Sequence, residues 1–180
     1  MPEAPLEETG TGRYRTGEGW FVLNATDGRW YQADGRGART HFEGDVEFPQ
    51  VGVHMFVLEP GESIGMYHWE ADQEDFLVVS GEALLVIEGE ERPLRRWDFV
   101  HCPPLTGHII VGAGTGPCAI VAVGARKHDG TPDWGGYPVE PAALRHGAGV
   151  EIETTESAEA YATSPPRQPT AYRGGWLPDG

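Results

Sequence analysis

Side chains that can bind a transition metal are concentrated in two short stretches of the sequence. His68, Glu70 and Glu74 lie close together in the first stretch, and His108 ends the second, WDFVHCPPLTGH. Imidazole and carboxylate are ligands of Zn, Fe, Mn, Ni and Cu, and two histidines with one carboxylate leave positions open for water or substrate. These residues predict one divalent transition metal with His68, Glu70, Glu74 and His108 as candidate ligands, and the residue types do not separate these five metals.

Glu70 has two alternative roles beside this metal. If residues 66–70 form a strand, its period of two places His68 and Glu70 on one face. Glu70 is then either a fourth ligand or a hydrogen-bond acceptor that orients an imidazole, and in the second role it is the candidate catalytic residue for proton transfer. Gln73 is a weaker candidate ligand.

A substrate pocket is predicted next to the metal, lined by His54, Met66, Phe76 and Cys102. His54 lies in the apolar strand VGVHMFVL, where a lone histidine is either a structural residue or a pocket residue. Phe76 shares a strand face with Glu74.

Alternation along the second stretch turns Cys102 inward and His101 outward. An inward Cys102 also suits a small core residue, because both cysteines, Cys102 and Cys118, lie in apolar segments. The remaining histidines lie in polar or loop contexts and are interpreted as surface residues: His41, His128 and His146.

The charge balance excludes several partner classes. The chain carries 13 Lys and Arg against 28 Asp and Glu, a formal net charge of -15. Such a surface repels phosphate backbones and anionic lipid headgroups, so neither nucleic acid nor a membrane is an expected partner. The first residues contain no apolar signal core and no basic leader, and we expect a cytoplasmic protein.

Short apolar stretches separated by Gly, Pro, Asp and Glu run from Gly19 to Ala125, beginning with GWFVLNA. This pattern predicts an all-β sandwich or barrel over residues 18–125. Residues 1–17 are polar and glycine-rich and are predicted to be flexible. Residues 126–180 are predicted to form an extension that packs on the barrel, with short helices in EPAALRHG and TESAEAYA and an extended tail.

Several strands are apolar on both faces. Phe76 and Val78 share one face of EDFLVVSG, while Leu77 and Val79 share the other. A sheet with one solvated face alternates apolar and polar residues, so something must cover the second face. We expect a homodimer contact there, and the alternative is that the terminal segments of the same chain cover it.

Both stretches resemble the two motifs of the cupin superfamily. The first motif is matched by His68, Glu74 and Gly81, with Gly61 one residue too far away, and the second by Pro103 and His108. Four positions depart from the pattern: Glu70 replaces a histidine, Trp97 and Leu105 replace glycines, and Gly112 replaces an asparagine. The runs QEDFLVVSGE and WDFVHCPP also resemble small bacterial proteins known only as cupin-domain proteins.

The resemblance implies a double-stranded β-helix, a jelly-roll barrel, with one divalent transition metal bound by His68, Glu74 and His108 inside its open end. It also implies a small-molecule ligand, and a metal-dependent enzyme of oxygenase, decarboxylase or isomerase type is our leading interpretation. Two alternatives stay open. One is a non-catalytic small-molecule or metal-binding module, and the other is a metal-free, sugar-epimerase-like barrel.

Overall fold

A computed structural model of the protein describes residues 1–126 and 134–178 and consists mainly of short antiparallel strands. The strands are β1 (Leu6–Thr9), β2 (Gly12–Arg15), β3 (Trp30–Ala33), β4 (Arg36–His41), β5 (Val51–Leu58), β6 (Trp69–Glu70), β7 (Glu74–Ser80), β8 (Glu82–Ile87), β9 (Glu90–Arg95), β10 (Phe99–Cys102), β11 (His108–Ala113), β12 (Cys118–Ala125), β13 (Gly135–Gly136) and β14 (Gln168–Thr170). The helices are α1 (Pro141–Arg145) and α2 (Ser157–Ala160).

Two sheets form the barrel. The larger has the strand order β10-β7-β12-β5-β4-β3-β14, and the smaller has the order β11-β8-β9. Gly81 has φ +73° and lets the chain turn sharply from β7 in one sheet to β8 in the other, while Glu88 and Gly89 form the two-residue turn between β8 and β9. This all-β architecture is the double-stranded β-helix, and the fold prediction is confirmed.

The main core lies between the inward faces of the two sheets. Strand alternation explains its composition, because every second residue of β5, β7, β11 and β12 points inward. Its largest buried side chains are Phe56, Leu58, Phe76, Ile110 and Ile120.

The outer faces are covered largely by the chain's own C-terminal residues. Ala143 of α1 packs with Val86 and Ile109 on the outside of the smaller sheet. Trp176 packs on Trp30, with ring centroids 5.2 Å apart, on the outside of the larger sheet. In the sequence analysis, coverage by the same chain was the alternative to a homodimer. The homodimer prediction now depends on a smaller apolar patch around Leu77 and Phe99.

The N-terminal residues depart from the sequence analysis. Residues 1–17, predicted to be flexible, contain the hairpin β1–β2, and the Arg15 Nε donates to the Glu43 carbonyl oxygen at 3.0 Å. GWFVLNA, which has strand composition, forms no strand. Both differences arise from contacts far apart in sequence, which local composition does not reveal.

The C-terminal helices lie where the sequence predicted them. Pro141 begins α1, the Glu140 side chain accepts a hydrogen bond from the Ala142 backbone N–H at 2.9 Å, and Gly147 follows the helix with φ +65°. The predicted extended tail, TAYRGGWLPDG, begins at Thr170, the last residue of β14, and residues 171–178 form no strand. In the part of the chain that the structure describes, no helix is both long and apolar enough to cross a membrane.

Candidate metal centre

The three predicted ligands meet where three strands begin. His68 immediately precedes β6, Glu74 is the first residue of β7, and His108 is the first residue of β11. His68 and His108 exchange backbone hydrogen bonds of 3.2 and 2.9 Å, which fixes their relative position. One ligand atom from each of the three side chains lies within 4.8 Å of the others.

Backbone carbonyls determine which imidazole nitrogen faces the centre. The Nδ1 of His68 lies 2.8 Å from the Met66 carbonyl oxygen, and the Nδ1 of His108 lies 2.9 Å from the Thr106 carbonyl oxygen. A carbonyl only accepts, so each Nδ1 is the protonated donor. Both Nε2 atoms therefore point inward, in the arrangement that outer hydrogen bonds impose on metal-binding histidines.

A single carboxylate oxygen meets both Nε2 atoms. The Oε2 of Glu74 lies 3.0 Å from the Nε2 of His108 and 3.5 Å from that of His68. Two nitrogen lone pairs and a carboxylate directed at one point repel one another unless protons or a cation lie between them. The donor set thus fits a divalent transition metal.

Glu70 contacts one of the histidines. Its Oε1 lies 3.4 Å from the Nε2 of His68, while the compact ligand group found among the described residues consists of His68, Glu74 and His108. The Leu105 N–H donates to the Glu70 carbonyl oxygen at 2.7 Å, and Glu70 also pairs with Gly135. Its backbone is therefore held on both sides, with its carboxylate at the edge of the centre.

The pKa shifts follow from these contacts. Burial lowers the pKa of His68, but hydrogen bonds to Glu70 and Glu74 outweigh it and raise that pKa to about 10. Burial likewise opposes the contacts with Cys102 and Glu74 that raise the pKa of His108 to about 9. For Glu74, burial favours a higher pKa, and hydrogen bonds from both histidines lower it to about 2. Without a cation, protons on the two Nε2 atoms take its place.

Three departures from the cupin motifs are explained by the structure. Trp97 and Leu105, which stand at glycine positions of the pattern, adopt left-handed backbones with φ of 76° and 70°. The turn geometry that favours glycine is therefore kept at a conformational cost. At Gly112, where the pattern has asparagine, a Cβ would lie 2.3 Å from the Glu59 carbonyl oxygen, so glycine is required by close packing.

A cavity of about 230 Å³ opens beside the centre. Its lining combines histidine, carboxylate and arginine with small residues: Gly52, His54, Glu70, Glu74, Gly124, Ala125, Arg126 and Trp134. The Arg126 guanidinium pairs with the buried Glu43 carboxylate at 2.6 and 2.7 Å, which fixes its position at the rim. This volume suits a small polar molecule in contact with Glu70 and Glu74.

The four predicted pocket residues lie in different places. His54 lines the cavity, and its pKa is lowered to about 4 by burial and by the neighbouring Arg39 and His41. Phe76 and Cys102 are core residues below the ligands, where the Phe76 ring lies 5.4 Å from that of His108. Met66 is buried behind His68 and is not a lining residue of this cavity.

The other histidines also differ from one another. His101 is half exposed, with its Nδ1 2.6 Å from an Asp75 carboxylate oxygen, as the alternation predicted. His41, interpreted as a surface residue, is partly buried and stacks on Tyr31 at 5.4 Å between ring centroids. His146 is partly buried and pairs with Glu91. His128 lies outside the described residues.

The sequence analysis did not identify two aromatic residues that lie beside the site. The rings of Trp134 and Tyr137 lie 6.4 and 6.0 Å from that of His68. They reach it because β13 pairs with β6, where Gly135 lies opposite Glu70. Neither motif contains these residues, and a two-residue strand has no detectable period in the sequence.

Comparisons with known proteins agree with this geometry. A family model described as the cupin domain matches residues 54–124. A protein from Acidithiobacillus ferrooxidans, named as a sugar phosphate isomerase, shares 24% identity over 59% of this chain and 75% of its own, with a TM-score of 0.52. The polyketide cyclase RemF from Streptomyces resistomycificus shares 15% identity over 59% of this chain and 79% of its own, also with a TM-score of 0.52.

No curated protein sequence matches the chain. At these identities the two solved structures support the fold and not a reaction. The matched residues 54–124 contain both motif stretches, all three residues of the ligand group and most of the barrel strands. Residues 54–124 of this chain therefore match the cupin domain, and its fold is the double-stranded β-helix.

Proposed function

We propose that this protein is a metal-dependent enzyme that acts on a small polar molecule in the cavity beside His68, Glu74 and His108. The observation that carries the proposal is the convergence of two Nε2 atoms on one carboxylate oxygen, while both Nδ1 atoms are engaged by backbone carbonyls. This arrangement presents three ligand atoms to a divalent cation and leaves coordination positions facing the cavity.

Each residue has a distinct part in the proposed reaction. The bound metal supplies Lewis acidity or a centre for O2 chemistry. Glu70 lines the cavity and lies 3.4 Å from the Nε2 of His68, so its carboxylate is placed to hold or transfer a proton of the substrate. Trp134 and Arg126, the latter paired with Glu43, line the cavity and would contact the substrate.

The metal assignment is tested by elemental analysis of the purified protein. His68→Ala and His108→Ala should each lose nearly all bound metal, because each removes one of three ligands. His101→Ala is the matched control, since His101 is an outward histidine bonded to Asp75. Equal metal content in all three variants and the wild type would overturn the assignment.

A metal-free, epimerase-like reaction is the second candidate, and the 3.0 Å contact between His108 and Glu74 favours it. Such a reaction needs a histidine base and a tyrosine acid near the same substrate. One tyrosine beside the centre is Tyr137, whose ring lies 6.0 Å from that of His68 and whose hydroxyl lies 3.0 Å from the Ser157 hydroxyl. Turnover that survives removal of the metal by a chelator would support this candidate over the metal-dependent enzyme.

A further inference from the structure

A second cavity, of about 530 Å³, lies between β4 and the residues that follow α2. Three arginines line it: Arg36, Arg39 and Arg167. The rest of its wall is largely apolar, with Ile64, Tyr161 and Pro165 among its members. It shares no lining residue with the cavity beside the metal centre.

The arginines are held in place by neutral groups. The buried Arg36 donates from Nη2 to the Ser164 hydroxyl at 2.9 Å and contacts the Met66 sulfur at 3.1 Å, and its guanidinium lies 4.9 Å from the Tyr161 ring centroid. Arg167 donates to the backbone carbonyls of Gly37 and Ile64. These contacts orient the guanidinium groups and leave their charges uncompensated.

In the described part of the chain, carboxylates do not pair with these arginines. Across residues 1–126 and 134–178, no ion pair joins Arg36, Arg39 or Arg167 to Asp or Glu, and the Nε of Arg39 is buried without a hydrogen-bond partner. Burial lowers the pKa of all three, and repulsion from Arg39 and Arg36 helps lower that of Arg167 to about 10. The negative charge of Glu62 opposes this lowering of the Arg167 pKa.

Three buried or partly buried cations that repel one another are costly unless an anion joins them. The cost is notable in a chain of net charge -15, in which carboxylates are plentiful. Guanidinium groups bind phosphate and carboxylate through paired hydrogen bonds, and the cavity volume falls in the ordinary range for small-molecule sites.

We infer that this cavity is a second ligand site, which binds a small organic molecule carrying a phosphate or carboxylate group. The oxyanion lies against Arg36, Arg39 and Arg167, and the organic part lies against Tyr161 and Ile64. The three arginines come from β4 and from the C-terminal residues, so they lie outside the matched residues 54–124, which contribute Ile64 to the wall.

Calorimetric titration of the purified protein with phenyl phosphate, benzoate and neutral benzamide tests the inference. Phenyl phosphate or benzoate should bind, benzamide should not, and the tighter of the two acids identifies the oxyanion. Arg39→Met should weaken binding at least about tenfold, because it removes a charged donor. Ala158→Trp should block the cavity without touching an arginine, since Ala158 is an exposed lining residue.

Two controls separate this site from the metal centre and from general charge effects. His108→Ala should bind the same ligand as the wild type, and so should Arg92→Met, which removes an exposed arginine paired with Glu90. Ligand-free Arg39→Met should unfold at the same temperature as the wild type or a higher one. Unchanged affinity in Arg39→Met and Ala158→Trp, equal binding of benzamide, or a lower unfolding temperature of ligand-free Arg39→Met would overturn the inference.

Discussion

Binding of Zn²⁺ to metal-free protein at pH 7 should release about two protons per ion. The released protons come from His68 and His108, whose pKa values of about 10 and about 9 keep both imidazoles protonated at pH 7. Metal coordination needs the Nε2 lone pairs, so both protons must leave. Two histidines with an ordinary pKa of 6.5 would together release only about half a proton at this pH.

The displacement of two protons by each Zn²⁺ ion predicts that the affinity for Zn²⁺ depends steeply on pH. Between pH 7 and 8 the apparent affinity for Zn²⁺ should rise about a hundredfold, because two protons compete with each ion. Two ordinary histidines would give a rise of less than about twofold over this interval. Since Glu74 has a pKa of about 2, it stays ionised across the range and contributes no slope.

Titration calorimetry in several buffers with different ionisation enthalpies counts the released protons directly. His108→Ala, which keeps only one of the two imidazoles, should bind Zn²⁺ weakly and release at most one proton. If the wild type released about half a proton per ion, and its affinity for Zn²⁺ hardly changed between pH 7 and 8, the reasoning that both imidazoles are protonated at pH 7 would be refuted.

The stability of the metal-free protein should change with pH in the opposite direction to metal affinity. The raised pKa values of the histidines contribute stability that is complete below about pH 6.5 and is lost as pH rises through about 9 to 10. The lowered pKa of Glu74 contributes stability that is present above about pH 4.5 and is lost as pH falls to about 2. Unfolding temperatures measured from pH 6 to 10, with and without Zn²⁺, test this prediction. It would be contradicted if the unfolding temperatures of the metal-free and the Zn²⁺-bound protein changed with pH in parallel.

Three further predictions concern Glu70, a strained turn and association. Glu70→Gln should keep most of the bound metal and lose most of any turnover, as checked by metal content and activity, whereas loss of the metal would make Glu70 a ligand. Leu105→Gly should raise the free energy of unfolding by up to about 1 kcal/mol in denaturant titration, because glycine tolerates φ of 70° and the leucine is 63% exposed. A decrease would show that the leucine side chain matters more than the strain. If the patch around Leu77 and Phe99 forms a homodimer, light scattering should give twice the chain mass, and Phe99→Arg should give a monomer; a monomeric wild type would contradict the dimer.

Much of the site was predictable because its ligands lie in motifs with regular spacing. His68 and Glu74 are separated by one turn, and His108 begins a strand that must lie beside them once the two sheets face each other. The outward position of His101 and the inward position of Cys102 follow from strand period alone. The left-handed backbones at Trp97 and Leu105 were unpredictable, since neither residue type favours that conformation.

The sequence alone determined the residues that can bind a metal, the all-β class, the positions of α1 and α2, and the need to cover apolar outer faces. Each depends on spacing or period within a short segment. Only the tertiary structure decided that Trp176 covers one face, that Trp134 reaches His68, and that Arg36 and Arg167 share a cavity. These contacts join residues far apart in the chain, and their geometry arises from the closed barrel, which no local pattern records.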